Sequence, residues 1–227
     1  MIGDPVALTI RRDIERPSKA LMKAFAGQPT GFVTDAFNGR GCLDHEIKPL
    51  TPDMKFSGPA VTAYCGPMDN LAAMAVLDFV KKGDVIVIAT TGDGTAATIG
   101  DLWALWAKRL GVAAIVCDGL VRDVTGLLKV GIPVFSRGVK PNSAFKNGPG
   151  EINTTVTCAG VAIGPGDIVV GDRDGVVCIP LAQAGEVAAR LELVKRKEAQ
   201  AEARVKKGIK LGFWDPAALG SRVRYLD

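Results

Sequence analysis

Gly83-Asp84-Val85-Ile86-Val87-Ile88 and, in the second half of the chain, Gly166-Asp167-Ile168-Val169-Val170 are built alike: a Gly-Asp turn feeds an uninterrupted apolar run. Runs of this length fit strands buried on both faces, since a strand with one wet face would alternate apolar and polar residues. Between them the sequence predicts a helix over 102–110. Ile99, Leu102, Trp103, Trp106 and Leu110 fall on the three-four spacing of one stripe, Lys108 and Arg109 lie in its last turn, and Gly111 stops it. A strand over 113–117 follows directly.

Working outward, residues 17–26 read as a short helix with Pro17 before a Ser18 cap, and 30–37 as a second helix ending near Gly39 and Gly41. Residues 58–64 predict a strand, 67–70 a turn and 71–80 an apolar helix. The second half is strand-rich, at 156–163, 168–170 and 176–179, with Asp172-Arg173-Asp174-Gly175 as a turn. After Pro180 a long helix is predicted to about residue 207. Val187, Leu191 and Val194 line one side of it, and its second half is polar all round, as in a helix that projects into water or reaches a neighbouring subunit. Crossover and hairpin strands with helices at both ends imply a layered α/β domain. The expectation is one domain over 1–227, with N-terminal helices at 17–40 and a C-terminal helix and tail at 181–227.

With 48% hydrophobic residues in 227, one sizeable core is within reach. The net charge of +4 includes a basic cluster, Lys195 to Lys210, interleaved with Glu198 and Glu202, which reads as a solvated helix face and not as a nucleic-acid stripe. The five cysteines are scattered and odd in number, which fits buried free thiols of a reducing compartment. No stretch approaches the ~18 uninterrupted apolar residues of a membrane helix, and Asp4, Arg11, Arg12 and Asp13 stand where a signal peptide needs an apolar core. Cytoplasm is expected, without membrane or nucleic-acid partners. The one histidine, His45, has no nucleophile motif near it and reads as a loop residue, which leaves carboxylates, Arg, Lys and backbone amides to do chemistry.

Three constellations could carry that chemistry. Gly92-Asp93-Gly94-Thr95-Ala96-Ala97 follows a buried strand, with Asp118 about 20 residues on, as in a dinucleotide site. Asp93 and Asp101 would set negative charge against a pyrophosphate, so the stretch reads as a tight turn. In Gly100-Asp101-Leu102-Trp103, Asp101 as N-cap would leave the amides of Leu102, Trp103 and Ala104 pointing outward, ready for a small carboxylate or simply capped. In Val116-Cys117-Asp118-Gly119-Leu120-Val121-Arg122-Asp123 a buried strand ends in an Asp-Gly turn and delivers Arg122 and Asp123 side by side. Arginine binds a carboxylate in two-pronged fashion and aspartate holds hard cations. The plain alternative is that Asp123 caps a helix over Asp123-Val-Thr-Gly.

Taken together, Gly100-Asp101-Leu102, Asp118-Gly119-Leu-Val-Arg122-Asp123-Val, Pro133-Val-Phe-Ser-Arg137-Gly138 and Gly164-Pro-Gly-Asp167-Ile-Val-Val-Gly-Asp172-Arg-Asp-Gly175 resemble the RraA-like family. The branch they resemble most is that of the 4-hydroxy-4-methyl-2-oxoglutarate and 4-carboxy-4-hydroxy-2-oxoadipate aldolases. The resemblance runs from Thr34-Asp35 through Pro67-Met-Asp69-Asn70 to Lys197-Glu198 and Gly208. It implies an αββα sandwich of the swivelling-domain type with a central barrel-like sheet pair, assembled as homotrimers or homohexamers with active sites between subunits. It also implies that Asp123 holds Mg²⁺ or Mn²⁺, that Asp101 acts through metal-bound water and that Arg122 meets the carbonyl and enolate. The amides of Leu102 and Trp103 beside Gly100 would take the pyruvyl carboxylate, and Glu198 would come from the adjacent subunit. Where those aldolases commonly carry a histidine after Asp69-Asn70, this chain has Leu71-Ala72-Ala73-Met74.

The activity so implied is that of a class II pyruvate aldolase: metal-dependent retro-aldol cleavage of a 4-hydroxy-2-oxo acid to pyruvate and a second carbonyl compound, with oxaloacetate decarboxylation on the side. Two rivals stand beside it. One is a Schiff-base aldolase using Lys140 or Lys146 of the loop 138–150, lysines that otherwise read as solvated. The other is a non-catalytic protein that binds and regulates a ribonuclease, as some RraA-like proteins do.

Overall fold

The computed structural model describes residues 5–90, 92 and 94–226. In chain order it holds β1 (Leu8–Ile10), α1 (Lys19–Phe25), α2 (Thr30–Ala36), β2 (Lys48–Pro49), β3 (Phe56–Cys65), α3 (Leu71–Ala75), β4 (Val85–Ala89), β5 (Ala97–Ile99) and α4 (Asp101–Arg109). There follow β6 (Ala114–Val121), α5 (Val124–Val130), β7 (Val134–Val139), β8 (Gly150–Ile152), β9 (Val156–Cys158), β10 (Val161–Ile163), β11 (Ile168–Asp172), β12 (Gly175–Ile179), α6 (Leu181–Lys206) and α7 (Pro216–Leu219).

The architecture turns on β3. From Ala60 onward it lies parallel to β4, β4 to β6 and β6 to β7. Its first residues, 56–59, pair antiparallel with β11, which forms a hairpin with β12. One long strand thus belongs to two sheet layers and brings the hairpin over one face of the parallel strands. That face (Val85, Val87, Val116, Phe135) and the hairpin's inner face (Val169, Val176, Cys178) close a single core. The opposite face of the same strands (Ile86, Ile88, Ile115, Cys117) packs on Ala72 and Ala73 of α3, Ala104 and Ala107 of α4, and Leu127 of α5. The hairpin's outer face (Ile168, Val170, Val177, Ile179) meets Phe25, Val33, Val187 and Leu191 of α1, α2 and α6. The layers run helix, sheet, sheet, helix, as expected. This explains the uninterrupted apolar runs: alternate residues of β4 face different cores, and each fully buried Ile or Val adds roughly 1.5–3 kcal/mol of burial.

Ser18 caps α1 as expected, accepting the Leu21 N–H at 3.1 Å, and α6 reaches Lys206. Other boundaries moved. The helix expected over 71–80 is the short α3 followed by a 3-10 turn at Val76–Asp78. Residues 156–163 form the hairpin β9–β10, turning through Ala159 and Gly160, both with positive φ. Asp118-Gly119 does not end its strand: β6 continues through it, and its register against β7 shifts between Cys117 and Leu120. The cause is the buried Asp118 carboxylate, which accepts the Thr90 N–H (2.7 Å), the Thr90 hydroxyl (3.0 Å) and the Ala159 N–H (3.0 Å). Asp118 is therefore a tie between segments, and its burial raises its pKa.

Cys65, Cys117, Cys158 and Cys178 are buried and free, and burial pushes the Cys65 and Cys117 thiols up to about 12. Cys42 departs from the expectation: it is exposed beside the Thr34 hydroxyl. His45 is exposed and pairs with Asp44 at 3.1 Å. Among the described residues no helix is long and apolar enough to cross a membrane.

Candidate active site

Two parallel strands and the helices that follow them build one cleft. The adjacent strands β5 and β6 end side by side, the Arg122 N–H donating to Ile99 O at 3.0 Å. Past these ends the chain enters α4 through Gly100 and α5 through Asp123. The cleft, about 430 Å³, is lined by Gly100, Asp101, Leu102 and Trp103 on one side, by Arg122 and Asp123 on another, and by Asn70, Ser143 and Lys146. Strand ends of this kind are where open α/β sheets bind ligands.

Asp123 holds the N-cap position of α5, yet its side chain makes no capping hydrogen bond. The plain reading of a helix cap thus fails, and the carboxylate turns to Arg122, with Oδ2 at 3.2 Å from Nε. Its backbone is left-handed, φ 59° and ψ 42°, a conformation costing a non-glycine residue about 1 kcal/mol or more. Arg122 is further held by Ser143, its Nη1 donating to Oγ at 2.5 Å. Gly100 is required by proximity: a Cβ there would collide with Asp123 Oδ2 and lie 3.3 Å from Arg122 Nε.

Asp101 needs a correction. Gly100 is the N-cap of α4, and Asp101 is its first residue. The Asp101 carboxylate folds onto α5, where only the missing side chain of Gly126 makes room. Its Oδ1 accepts the Leu102 N–H at 2.7 Å, and the Ala104 N–H donates to Gly100 O at 3.1 Å. Of the amides expected to face outward, those of Leu102 and Ala104 are therefore engaged locally, and the Trp103 amide remains at the helix mouth. The Trp103 indole is fixed from below, donating to Ala73 O at 2.9 Å, while Leu102 is 79% exposed at the rim.

The loop 140–149 had offered only Lys140 and Lys146 to a sequence reading, and its part in the site was not legible. Buried Asp69 accepts the Leu71 N–H (2.8 Å), the Asn147 N–H (2.5 Å) and the Gly148 N–H (3.0 Å). Backbone bonds between Met68, Asn70 and Phe145 add to the clamp. It brings Ser143 to Arg122 and Lys146 to the cleft wall. Lys140 is drawn away, donating to Gly94 O at 3.2 Å. Asn70, which the sequence offers as part of a turn and of the stretch that carries the family resemblance, is buried against the cleft. Asp93 of the glycine-rich stretch lies outside the described residues.

Glu198 is exposed on α6, in the layer across both sheets from α4, and is not among the residues lining this chain's cleft. Asp101 and Asp123 supply oxygen donors only, and among the described residues no group of three or more His, Cys, Asp or Glu gathers to hold a metal. Such a donor set fits Mg²⁺ or Mn²⁺, which bind through one or two carboxylates and otherwise through water and substrate, better than the three or four protein ligands of zinc.

A family model described as RraA-like, Aldolase/RraA, matches residues 30–178. A Halalkalibacterium halodurans protein named "Putative 4-hydroxy-4-methyl-2-oxoglutarate aldolase" is 42% identical over 176 residues, 78% of this chain and 82% of that protein. Among solved structures, an uncharacterized protein from Pseudomonas syringae pv. tomato superposes with a TM-score of 0.78 at 26% identity, covering 87% of this chain and 93% of that one. A Streptomyces coelicolor protein, described as an unusual member of the RNase ES inhibitor RraA family, gives 0.75 at 28% identity, covering 83% and 100%.

Proposed function

The chain belongs to the RraA-like family, and from that membership and the cleft beyond β5 and β6 we propose that it cleaves a 4-hydroxy-2-oxo acid by a retro-aldol reaction, releasing pyruvate and a second carbonyl compound. The observation that carries this reading is the pairing of Arg122 with a carboxylate, Asp123, that the fold holds at a helix start without using it as a cap.

Retro-aldol cleavage needs a sink for charge at the 2-oxo oxygen and a base for the hydroxyl. Arg122, steadied by Ser143 and Asp123, presents a fixed guanidinium where that charge develops. The Trp103 amide at the mouth of α4 takes the pyruvyl carboxylate, and the Leu102 amide joins it when Asp101 Oδ1 lets go. Asp123 would hold a Mg²⁺ or Mn²⁺ ion, with Asp101 reaching it through water; when bound, the ion supplies a Lewis acid for the same end of the substrate. The base is Glu198 from a second copy of the chain, or a water it orients, which accounts for a long polar helix with no fully buried residue beyond Leu191 and would put the complete site between subunits of a trimer or hexamer. Oxaloacetate decarboxylation follows as a side activity, because it develops the same charge at the same oxygen. The scattered thiols favour a reducing compartment, the cytoplasm.

The test is pyruvate release from a panel of 4-hydroxy-2-oxo acids and oxaloacetate, with and without Mg²⁺ or Mn²⁺. Metal-stimulated turnover supports the reading. Absence of turnover across the panel, with capture of a ribonuclease in a pull-down, would replace it by the ribonuclease-inhibiting role that the Streptomyces relative's family is named for.

A further inference from the structure

One wall of the cleft takes no part in the chemistry proposed above, and it is apolar: Met74, Leu77 and Trp106 line it, with Leu102 at the rim. Helix geometry gathers them. Side chains on a helix lean back toward its N-terminus, so Trp106 leans over the first turn of α4, beside Leu102 four residues earlier, at the mouth assigned to the pyruvyl carboxylate. The Trp103 indole donates to Ala73 O at 2.9 Å and so fixes α4 against α3. Met74 is the next residue of α3, and Leu77, three residues on in the 3-10 turn, lies on the same side. Trp106 keeps 52% of its surface exposed, while Met74 and Leu77 are half-buried. Large apolar side chains left open together at a cleft mark a surface that something covers.

In the proposed reaction the 1-carboxylate meets the Trp103 amide, the 2-oxo group meets Arg122 and the 4-hydroxyl meets the base. The part of the substrate left to face this wall is the remaining substituent on C4. A carboxylate there would find one cation besides Arg122 on the cleft wall, the exposed Lys146, and an exposed ion pair changes a rate by about fivefold at most. Each methylene buried against an apolar wall is worth about fourfold, and the gain multiplies with length. We infer that the C4 substituent is apolar, an alkyl or aryl group packed against Met74, Leu77 and Trp106, so that the compound released with pyruvate is a hydrophobic aldehyde or ketone. The inference rests on the aldolase reading and deepens it by naming the substrate class. The step balances without an oxidant or reductant. The C3–C4 bond breaks and its electron pair enters the enolate of pyruvate, the hydroxyl proton passes to the base, C4 becomes the carbonyl carbon, and C3 takes up one proton.

The experiment measures kcat/KM for pyruvate release by the full chain, with Mg²⁺ or Mn²⁺ supplied, on a matched set of substrates. The set is 4-hydroxy-2-oxopentanoate, its two next longer straight-chain homologues, and 4-hydroxy-2-oxoglutarate, in which a carboxylate of nearly the same size replaces the terminal methyl. The value should rise about fourfold with each added methylene, and the pentanoate should exceed the glutarate about tenfold or more, because the wall desolvates a charge without pairing it. Trp106→Gln and Met74→Gln each set an amide into the wall and should cut the rise to about twofold or less per methylene. The ratio between homologues in one preparation cancels the folded fraction. A flat or falling series, or a preference for the glutarate, overturns the inference and leaves the aldolase reading standing. So does a rise that both variants preserve, every rate falling by one factor, which would mark the wall as a contact between copies of the chain. A wild type that releases pyruvate from none of these substrates removes both readings.

Discussion

Gly126 is where the site can be disturbed with the least damage to the fold. It is the third residue of α5, and a Cβ there would overlap the Asp101 carboxylate, with Asp101 Cβ 2.6 Å and Cγ 2.7 Å away. Carbon atoms rest at roughly 3.5–4.0 Å, so in Gly126→Ala the first turn of α4 must retreat by roughly 0.8 Å or more. The overlap costs about 1–3 kcal/mol, offset by about 1 kcal/mol from replacing a helical glycine with alanine. The net loss is about 0–2 kcal/mol, which at roughly 2–4 °C per kcal/mol lowers Tm by no more than about 8 °C. Activity responds differently, because Asp101, Leu102 and Trp103 all move with that turn, and a misplacement near 1 Å costs about 10²-fold. The expected result is a well-folded protein whose kcat/KM for pyruvate release has fallen about 10²-fold. In an Asp101→Gly background these contacts with the 101 side chain are gone, and adding Gly126→Ala should cost no further activity while raising Tm. A Gly126→Ala enzyme with kcat/KM within about threefold of wild type would refute the close packing of α4 on α5 as the device that places Asp101.

Arg122→Lys keeps the charge but not the planar fork that meets Ser143 and Asp123 together, so kcat should fall about 10²-fold or more with little change in Tm; a wild-type rate would remove Arg122 from the mechanism. Asp123→Gly should abolish metal-stimulated turnover while leaving Tm unchanged or higher, because glycine adopts φ 59° freely; a large Tm loss would show the residue to be structural. Chelator should abolish pyruvate release and Mg²⁺ or Mn²⁺ restore it, and borohydride with substrate should trap no adduct; a trapped lysine adduct would turn attention to Lys146 on the cleft wall. Burial raises the pKa of Asp118 in the folded state above its ordinary 3.8, so its contribution to stability is fully present below the unfolded pKa and is lost as pH rises through the folded one. The stability of wild type relative to Asp118→Asn, followed by denaturant titration, should therefore decline from about pH 4 upward; a difference that grows with pH would reverse the sign of the shift.

What the sequence made legible is what repeats or runs on. The apolar runs of β4 and β11, the stripe of α4, the cap of α1 and the start of α6 after Pro180 are local patterns, and local physics settles them. The bulge at Asp118 was misread as a turn because Asp-Gly is a turn dipeptide; the carboxylate's partners at Thr90 and Ala159 lie far off in the chain. The short strands β1, β5 and β8 have three residues each, too few to show a period. At the site, Arg122 and Asp123 stood out as a charged pair after a buried strand. Ser143, Asp69 and Asn70 did not, because they act through contacts across more than 20 residues of chain. From local pattern the Asp69-Asn70 pair ahead of an apolar helix is what any turn carries; only the family resemblance singled it out.

The backbone at Asp123 joins the fold to the chemistry. Aspartate at a helix start ordinarily accepts an N–H of the first turn, which both stabilises the helix and occupies its oxygens. In the left-handed conformation adopted here that bond is not made, and Oδ2 lies beside Arg122 Nε instead. The chain thus forgoes a cap worth about 1 kcal/mol and bears backbone strain of similar size at one residue. Gly100, on the neighbouring segment, is the complementary half: any side chain there would occupy the space in which that carboxylate stands. Strain and missing atoms at adjacent strand ends act together to keep one carboxylate and one guanidinium facing the cleft. A purely structural helix start would need neither, since a capping serine at 123 would satisfy α5 at lower cost, and that difference is why this corner of the fold is read as a site for chemistry.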